Sequence, residues 1–457
     1  MTLIKSISGI RGTLGGNVGE NLTPIDVVKY AAAYGAWVLS TQKGKKVVVG
    51  RDARISGPMV HELVVNTLIA LGIDVVDAGL STTPTVEMAV VEESAAGGII
   101  LTASHNPKQW NALKLLNDKG EFISASDGAM VLELAESNNI AFANVDQLGT
   151  VTKKDFLPMH IQKILDLPLV KRDLIAAQKF KIAVDAVNSV GGIAVPALLK
   201  AIGVNQITVL NEAMTGNFAH NPEPLKEHLT DLCSTVIKNK ANIGIAVDPD
   251  VDRLCFVSED GELFGEEYTL VAVADYILQH RKGATVSNLS STRALRDVTE
   301  KYGCSYFASA VGEVNVVNMM KQEKAVIGGE GNGGIIIPDL HYGRDALIGI
   351  ALFLSHLALT QKTASALRAS YPAYFMSKKK MDLNASLSLD TIFSTLETKF
   401  SAYPINKVDG FKIDFEDEWV HLRTSNTEPI MRIYTEAKTQ EAADALADHI
   451  ISIIHSI

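Results

Sequence analysis

Short apolar runs alternate with amphipathic helical segments three times along the first two-thirds of the chain. Each unit has a β-branched run, a loop, a helix that stops at a glycine, and a second apolar run. The units start at Lys45, Phe180 and Ala284, and their helices stop at Gly72, Gly203 and Gly303. This order predicts β-α-β units with mainly parallel sheets. Its recurrence at wide spacing favours repeated domains over a solenoid.

The chain after about Tyr371 has a different pattern. Residues 386–400 have helical periodicity, residues 408–437 alternate like antiparallel strands around turns, and residues 439–457 form a closing helix. This is an α+β pattern. We therefore predict an α/β fold of three similar mixed α/β domains with largely parallel sheets and a smaller C-terminal α+β domain. The predicted boundaries are 1–149, 150–254, 255–370 and 371–457.

Composition is that of a packed globular protein, with 47% hydrophobic and 21% charged residues among 457. The net charge of −10 argues against non-specific binding to nucleic acid or to an anionic membrane surface. The three cysteines lie far apart and predict neither a disulfide framework nor a zinc site. We find no signal peptide and no stretch of the ~20 apolar residues that a membrane span needs. We therefore expect a cytoplasmic protein without membrane or nucleic-acid partners, whose oligomeric state the sequence leaves open.

The first candidate for chemistry is the loop Thr102–Pro107, which follows a strand-like run. Ser104 is a small nucleophile where parallel sheets place their ligands. A serine hydroxyl is weak alone and needs an activating base or metal. The alternative is a capped turn, because Ser, Asn and Pro are common turn residues.

The second candidate is the acidic loop after the apolar run 243–247. Asp248, Asp250 and Asp252 repel one another unless a cation lies between them, and carboxylate oxygens suit Mg²⁺. One alternative is a solvated acidic loop. Another is a phosphatase of the haloacid-dehalogenase type, in which the first aspartate is phosphorylated. Arg253 ends the loop.

Two further segments have binding character. Residues 328–334 are glycine-dense between two strand-like runs, and Glu330 and Asn332 there can bind hydroxyls. No helix follows, which excludes a dinucleotide fingerprint. Residues 423–432 combine arginine, hydroxyls, an amide and a turn, as a phosphate cradle would.

Together the four loops resemble the α-D-phosphohexomutase superfamily, with T-A-S-H-N-P, D-x-D-x-D-R and R-x-S-N-T-E-P in the family's order. The resemblance covers essentially the whole chain. It implies four domains around a central cleft and a phosphoserine at Ser104. It also implies Mg²⁺ held by the three aspartates and the phosphate on Ser104, a sugar-phosphate substrate, and a sugar bisphosphate as primer.

The resemblance also implies roles for single residues. Arg11 matches the N-terminal active-site arginine, and Lys114 matches the lysine of proton transfer, a role that asks for a lowered pKa. His105 is expected to support the nucleophile. The residues implied in substrate binding are Glu330 and Asn332 for the sugar, Arg253, and Arg423, Ser425, Asn426 and Thr427 for the phosphate that is not transferred.

Two departures from the family pattern affect the substrate assignment. Pro249 replaces a common glycine in the metal loop but leaves the carboxylates in place. In the sugar loop, Asn332 replaces the usual serine and Gly334 the usual histidine, which resembles the archaeal-type branch. We therefore favour glucosamine 6-phosphate and glucosamine 1-phosphate as the interconverted pair. Glucose, mannose or pentose phosphates stay open, as do a phosphatase and a catalytically inactive sugar-phosphate binder.

Overall fold

A computed structural model describes residues 1–6, 9–137, 139–382, 388–424 and 430–457. These residues form two compact units. The first comprises Met1–Thr269 and Asn332–Leu367, and the second comprises Leu270–Gly331 and Arg368–Ile457. Within the described ranges, no helix combines the length and the apolar composition needed to cross a membrane.

The first sheet of the first unit is mixed. Its strands are β1 (Ile4–Ser6), β2 (Gly9–Thr13), β3 (Lys46–Arg51), β4 (Asp74–Leu80), β5 (Gly97–Leu101), β6 (Trp110–Leu116) and β7 (Val151–Lys153). Their order is β1-β2-β6-β5-β3-β4-β7, and β5, β3, β4 and β7 run parallel. The accompanying helices are α1 (Pro24–Ser40), α2 (Gly57–Ala70), α3 (Thr83–Glu92) and α4 (Ala125–Ser137).

The valine run of β3 explains why this sheet is covered on both faces. Successive side chains of a strand point to opposite faces. Val47 and Val49 join a core that includes residues of α1, α2 and α4, whereas Val48 joins a separate core with α3. A continuous apolar run is therefore buried on both sides, as is usual for parallel sheets.

The second sheet of the first unit lies further along the chain. Its segment contains α5 (Leu157–Leu165), α6 (Arg172–Gln178), β8 (Lys181–Asp185), α7 (Gly191–Ala201), β9 (Gln206–Leu210), α8 (Thr230–Asn239), β10 (Ile243–Val247) and β11 (Leu254–Ser258). The strand order is β11-β10-β8-β9. Strands β10, β8 and β9 are parallel, and β11 is antiparallel to β10.

A third parallel arrangement belongs to the second unit. The chain continues through α9 (Glu266–His280), β12 (Thr285–Asn288), α10 (Ala294–Lys301), β13 (Tyr306–Ser309), α11 (Glu313–Glu323) and β14 (Ile327–Glu330). Strand β12 pairs in parallel with β13 and β14. The chain then returns to the first unit through β15 (Gly334–Ile336) and α12 (Ala346–Thr360), followed by α13 (Ala364–Arg368). Helix α12 packs against α5, α6, α7 and β11.

The C-terminal segment is antiparallel. Its elements are β16 (Phe375–Asp382), α14 (Leu389–Lys399), β17 (Ile405–Asn406), β18 (Phe411–Asp414), β19 (Trp419–Thr424), β20 (Ile430–Ala437) and α15 (Gln440–His455). The order is β16-β20-β19-β18-β17. Strands β18, β19 and β20 and helices α14 and α15 share one apolar core.

The predicted fold class is confirmed. The three β-α-β units are β3-α2-β4, β8-α7-β9 and β12-α10-β13, each with parallel strands. The C-terminal segment has the predicted helices and antiparallel strands, and it adds β16, which we did not predict. The four domain boundaries stay a prediction.

Candidate active site

The serine predicted as the phosphate carrier lies on the loop that leaves β5. Its backbone N–H donates to Thr102 Oγ1 at 2.9 Å, and its φ of +48° lies in the left-handed region. Such a conformation is strained for a non-glycine residue and persists only when its surroundings hold it. The Ser104 hydroxyl is buried and donates to Asp248 Oδ2 at 2.6 Å. The serine loop and the acidic loop therefore meet in one site.

The three aspartates of the acidic loop are completely buried. One carboxylate oxygen of each lies within 4.8 Å of the others. Among the residues that the structure describes, Oδ1 of Asp250 and Oδ1 of Asp252 accept no hydrogen bond. Burying carboxylate oxygens in this way is unfavourable unless a cation meets them. The donor set, all oxygen and close together, fits Mg²⁺.

Lys114 is the charged partner of this cluster. Its Nζ lies 2.7 Å from Asp250 Oδ2 and 3.3 Å from Asp252 Oδ2. Burial opposes the ammonium, but these two carboxylates outweigh it and raise the pKa of Lys114. Burial likewise opposes ionisation of Asp250, yet Lys114 lowers the pKa of that carboxyl. Lys114 is therefore held as an ammonium, without the lowered pKa that a proton acceptor would need.

Asp248 differs from its two neighbours. Burial and then the negative charges of Asp250 and Asp252 hold the pKa of Asp248 well above its usual range. Asp248 is also the aspartate that contacts the serine loop, because its Oδ2 accepts the hydrogen bond of the Ser104 hydroxyl at 2.6 Å.

Arg11, His105 and Arg253 belong to the same unit as Ser104. Arg11 Nη1 donates to Asn106 Oδ1 at 2.9 Å, on the serine loop. Burial, together with the charges of Arg253 and Arg11, holds the pKa of His105 well below its usual range, so the imidazole is neutral. Arg253 Nη1 lies 3.3 Å from Glu223 Oε1.

The departures in the glycine-rich loop have a steric reason. Asn332 Oδ1 accepts a hydrogen bond from the Gly334 N–H at 3.1 Å, which closes a tight turn. A Cβ atom at Gly334 would lie 2.3 Å from Cδ of Arg344. Arg344 Nη2 in turn donates to Asp252 Oδ2 at 2.7 Å. Glycine at this position therefore leaves room for an arginine that reaches the acidic cluster.

Sequence reasoning missed Arg344, and it also missed Thr83. The Thr83 hydroxyl donates to Asp250 Oδ2 at 2.6 Å, and the Thr83 N–H donates to the Asp250 carbonyl at 2.9 Å. Both residues come from outside the four loops that we singled out. Neither has a local sequence signal that points to the site.

A buried arginine clamps the serine loop. Arg54 Nε lies 3.0 Å from Asp52 Oδ2, and its Nη atoms donate to the carbonyl oxygens of Ser104, Asn106 and Pro107. Asp52 Oδ2 also accepts from Thr102 Oγ1 at 2.7 Å. A signal for this pair was available, since Asp52 and Arg54 follow β3 at the same sheet edge as Ser104 follows β5.

A second buried network of hydrogen bonds and ion pairs lies at the start of α12. Asp345 caps α12 by accepting from the Leu347 N–H at 2.8 Å. Its Oδ2 lies 2.9 Å from His160 Nε2 and 3.3 Å from His341 Nε2, and His341 Nδ1 lies 3.3 Å from Glu87 Oε2. Asp345 follows Arg344 directly in the chain. The network therefore fixes the start of the helix next to the arginine that binds Asp252.

Glu330 and Arg423 belong to the second unit. Glu330 Oε1 accepts from Asn288 Nδ2 at 2.9 Å and from the Gly312 N–H at 3.0 Å. Arg423 Nε lies 2.9 Å from Asp409 Oδ2, near the end of β19. Ser425, Asn426 and Thr427, the other predicted phosphate ligands, lie outside the described residues.

Family comparisons match nearly the whole chain. Models described as phosphoglucomutase/phosphomannomutase match four segments: alpha/beta/alpha domain I at residues 4–140, domain II at 158–261, domain III at 265–374 and the C-terminal domain at 379–453.

Individual relatives agree with these matches. The chain is 33% identical to a phosphoglucomutase/phosphomannomutase of Thermococcus kodakarensis, over 94% of this chain and 95% of that one. It is also 33% identical to a probable phosphoglucosamine mutase of Methanopyrus kandleri, over 98% and 96% of the two chains. A crystal structure of a phosphoglucomutase/phosphomannomutase family protein from Burkholderia thailandensis aligns with a TM-score of 0.84 at 26% identity, covering 99% of this chain and 98% of that one.

Proposed function

The chain belongs to the phosphoglucomutase/phosphomannomutase family, and on that premise we propose that it interconverts the 6-phosphate and the 1-phosphate of glucosamine. As a member of this family it is an enzyme, a phosphosugar isomerase. One observation carries the proposal beyond the family assignment. Ser104 is buried, its backbone is in the left-handed region, and its hydroxyl donates a hydrogen bond to the acidic cluster. A phosphate carrier beside a metal site would be placed in this way.

The acidic cluster supports a magnesium site. Asp248, Asp250 and Asp252 would hold the ion, with the phosphate on Ser104 as a further ligand. When bound, Mg²⁺ supplies positive charge that neutralises the phosphoryl oxygens during transfer. Arg344 and Lys114 already neutralise part of the carboxylate charge, so they tune how strongly the site attracts the cation.

In the first half-reaction, the phosphoryl group on Ser104 moves to a free sugar hydroxyl. The bond from phosphorus to Ser104 Oγ breaks as the bond from phosphorus to the sugar oxygen forms. The Lys114 ammonium gives a proton to the departing Ser104 Oγ and regains one from the sugar hydroxyl, which keeps the protons balanced. This assignment rests on the place of Lys114 in the site, where its buried Nζ lies 2.7 Å from Asp250 Oδ2 in the loop that also contacts Ser104.

The product of that step is a sugar bisphosphate, which has to turn end for end before Ser104 takes back its other phosphate. A bisphosphate is also the primer that we propose for the first phosphorylation. Glu330 and Asn332 would bind the sugar, and Arg253 would bind the substrate phosphate. Arg423, Ser425, Asn426 and Thr427 would grip the phosphate that is not transferred.

The choice of glucosamine phosphate is supported by two observations. The glycine-rich loop has Asn332 and Gly334 where the commoner family pattern has serine and histidine, which resembles the archaeal-type branch. The relative from Methanopyrus kandleri has the name probable phosphoglucosamine mutase. Mannose and glucose phosphates are the alternative substrates of the same site.

Phosphorus NMR with Mg²⁺ and a trace of sugar bisphosphate tests this function. Glucosamine 6-phosphate, glucose 1-phosphate and mannose 1-phosphate are compared side by side, and we expect the glucosamine pair to interconvert fastest. Ser104→Ala should abolish interconversion, whereas Ser137→Ala, a control on α4, should retain it. Faster turnover of glucose or mannose phosphate would contradict the substrate assignment. Release of inorganic phosphate without interconversion would instead favour an aspartate-dependent phosphatase.

A further inference from the structure

A cavity of about 570 Å³ lies in the first unit, apart from the candidate active site. It shares no lining residue with the serine loop or the acidic loop, and the proposed reaction does not use it. Its volume is within the range of roughly 300–1,000 Å³ that small-molecule sites occupy. Arg51, His61, Ser81, Lys153 and Ile193 are among the residues that line it.

The position of the cavity is that of a ligand site. Arg51, Leu80 and Lys153 are the last residues of β3, β4 and β7, which are adjacent and parallel. All three line the cavity. Open α/β sheets bind ligands outside the carboxyl ends of their strands. This cavity occupies that edge, and β3 is the neighbour of β5, the strand that carries the serine loop.

The charges around the cavity favour an anion. Arg51 is half-buried at the cavity wall, where its Nη1 donates to the Asp52 carbonyl at 3.0 Å, and Lys153 is exposed at the rim. Both cations also interact electrostatically with Asp77. Of the acidic residues at the wall, Asp77 is already bonded to His61 Nε2 at 2.9 Å and to the Gly79 N–H at 2.8 Å. Asp155 Oδ1 accepts from the N–H of Leu157, the first residue of α5, at 3.0 Å. Glu62 is exposed to solvent.

Helix dipoles add to this positive field. The cavity is lined by residues from the starts of α2, α3, α5 and α7, such as His61, Thr82, Leu157 and Val190. The N-terminal end of each helix carries about +0.5 elementary charge, which stabilises a nearby anion. Leu80 and Ile193 are exposed apolar side chains that can contact an uncharged part of a ligand.

The walls of the cavity are linked to the metal loop through residues that adjoin the lining residues in the chain. Next to Arg51 and Asp52, the Ala53 N–H donates to Ser189 Oγ at 3.3 Å, and the Ser189 hydroxyl donates to the Pro249 carbonyl at 2.6 Å. Thr83, the neighbour of Thr82, binds Asp250. A ligand that shifts these walls therefore acts on the loop that carries the acidic cluster.

We propose that this cavity binds the phosphate group of a small phosphorylated metabolite and that its occupancy changes turnover through the metal loop. Arg51 and Lys153 bind the phosphate, and the remainder of the metabolite fills the volume that a phosphate alone leaves open. The effect on turnover rests on the proposed mutase activity, whereas the binding itself does not.

Equilibrium dialysis of the full chain with radiolabelled inorganic phosphate tests the binding. The double variant Arg51→Gln, Lys153→Gln should bind one phosphate per chain fewer than the unmodified protein. The control double variant Lys119→Gln, Arg172→Gln removes the same charge from exposed positions and should bind the full number. Glycerol 3-phosphate should compete with the labelled phosphate for this site and should bind it with a lower Kd than inorganic phosphate. Equal phosphate counts in the two double variants, or weaker binding of the ester, would overturn the assignment.

Turnover measurements test the coupling separately. Phosphate in the active site competes with substrate and raises KM alone, so a change in kcat at saturating substrate reports the second site. We expect inorganic phosphate to change kcat at least twofold in the unmodified protein and in the control, and to leave kcat of the double variant constant. An unchanged kcat in the unmodified protein, with the extra phosphate still bound, would refute the coupling but not the site. Absence of any mutase turnover would count against the proposed function and would leave the dialysis result standing.

Discussion

Arg54 Nε lies 3.0 Å from Asp52 Oδ2, and both side chains are completely buried. The same guanidinium donates to three carbonyl oxygens of the serine loop, so one ion pair fixes the backbone around the proposed phosphate carrier. Replacing Arg54 with Met leaves the Asp52 carboxylate without its cation. Removing one partner of a buried pair costs about 3–5 kcal/mol. We expect the free energy of unfolding to fall by that order in urea titrations and kcat to fall at least tenfold.

Arg172→Met on α6 is the matched control, because Arg172 is exposed and should leave both quantities unchanged. Arg54→Lys keeps the charge but cannot reach several carbonyl oxygens at once. It should therefore restore part of the stability and little of kcat. Full kcat in Arg54→Lys would show that the clamp does not position Ser104.

Because of the acidic cluster, we expect Mg²⁺ to stabilise the folded state of this protein. A ligand that binds the folded state alone raises its stability with concentration. We expect addition of Mg²⁺ after EDTA treatment to raise the Tm in calorimetry. Asp252→Asn should weaken Mg²⁺ binding at least tenfold in titration calorimetry, and Asp146→Asn, at an exposed position, should not. Equal affinities in the two variants would exclude the cluster as the metal site.

His341 predicts a pH dependence of stability. Burial would lower its pKa, but Asp345 and Glu87 outweigh burial and raise the pKa of His341 from 6.5 to about 10. A raised folded pKa stabilises the folded state fully below the unfolded value and loses that contribution as pH rises through the folded value. The stability difference between the unmodified protein and His341→Gln should therefore be largest below pH 6.5 and shrink as the pH rises toward 10.

Urea unfolding at several pH values measures this difference. His160 faces the same carboxylate, so His160→Gln in parallel separates its contribution from that of His341. A difference that stays constant across the range would show that His341 gains no stabilisation from the two carboxylates.

Phe353 and Phe142 should differ clearly in how much each contributes to the free energy of unfolding. The ring of Phe353 on α12 stacks on Phe256 at 3.9 Å between centroids and meets Phe264 edge-on at 5.0 Å. Phe353 is completely buried, whereas Phe142 is 54% exposed. Phe353→Ala should cost about 3–5 kcal/mol of unfolding free energy. Phe142→Ala should cost well under half of that, and equal losses in chemical denaturation would contradict the packing argument.

Much of the fold was predictable because its signals are local. The valine run of β3 and the glycines that end the helices predicted the β-α-β units. Strand β16 was not predicted, since it is an edge strand with half of its residues exposed and with three consecutive lysines, Lys378, Lys379 and Lys380. Charged edge strands resist pairing with other chains, and for the same reason they lack the apolar alternation that identifies a strand.

The sequence by itself determined the chemistry-bearing loops of this protein: Ser104 after β5 and the three aspartates after β10 are each recognisable within a few residues. Only the tertiary structure decided which residues surround them. Thr83 and Arg344 reach the site from separate parts of the chain, and each is an ordinary polar residue in its own segment. Their roles arise from burial, because a charged or hydroxyl group removed from water must find a partner in space, and that partner need not be near in sequence.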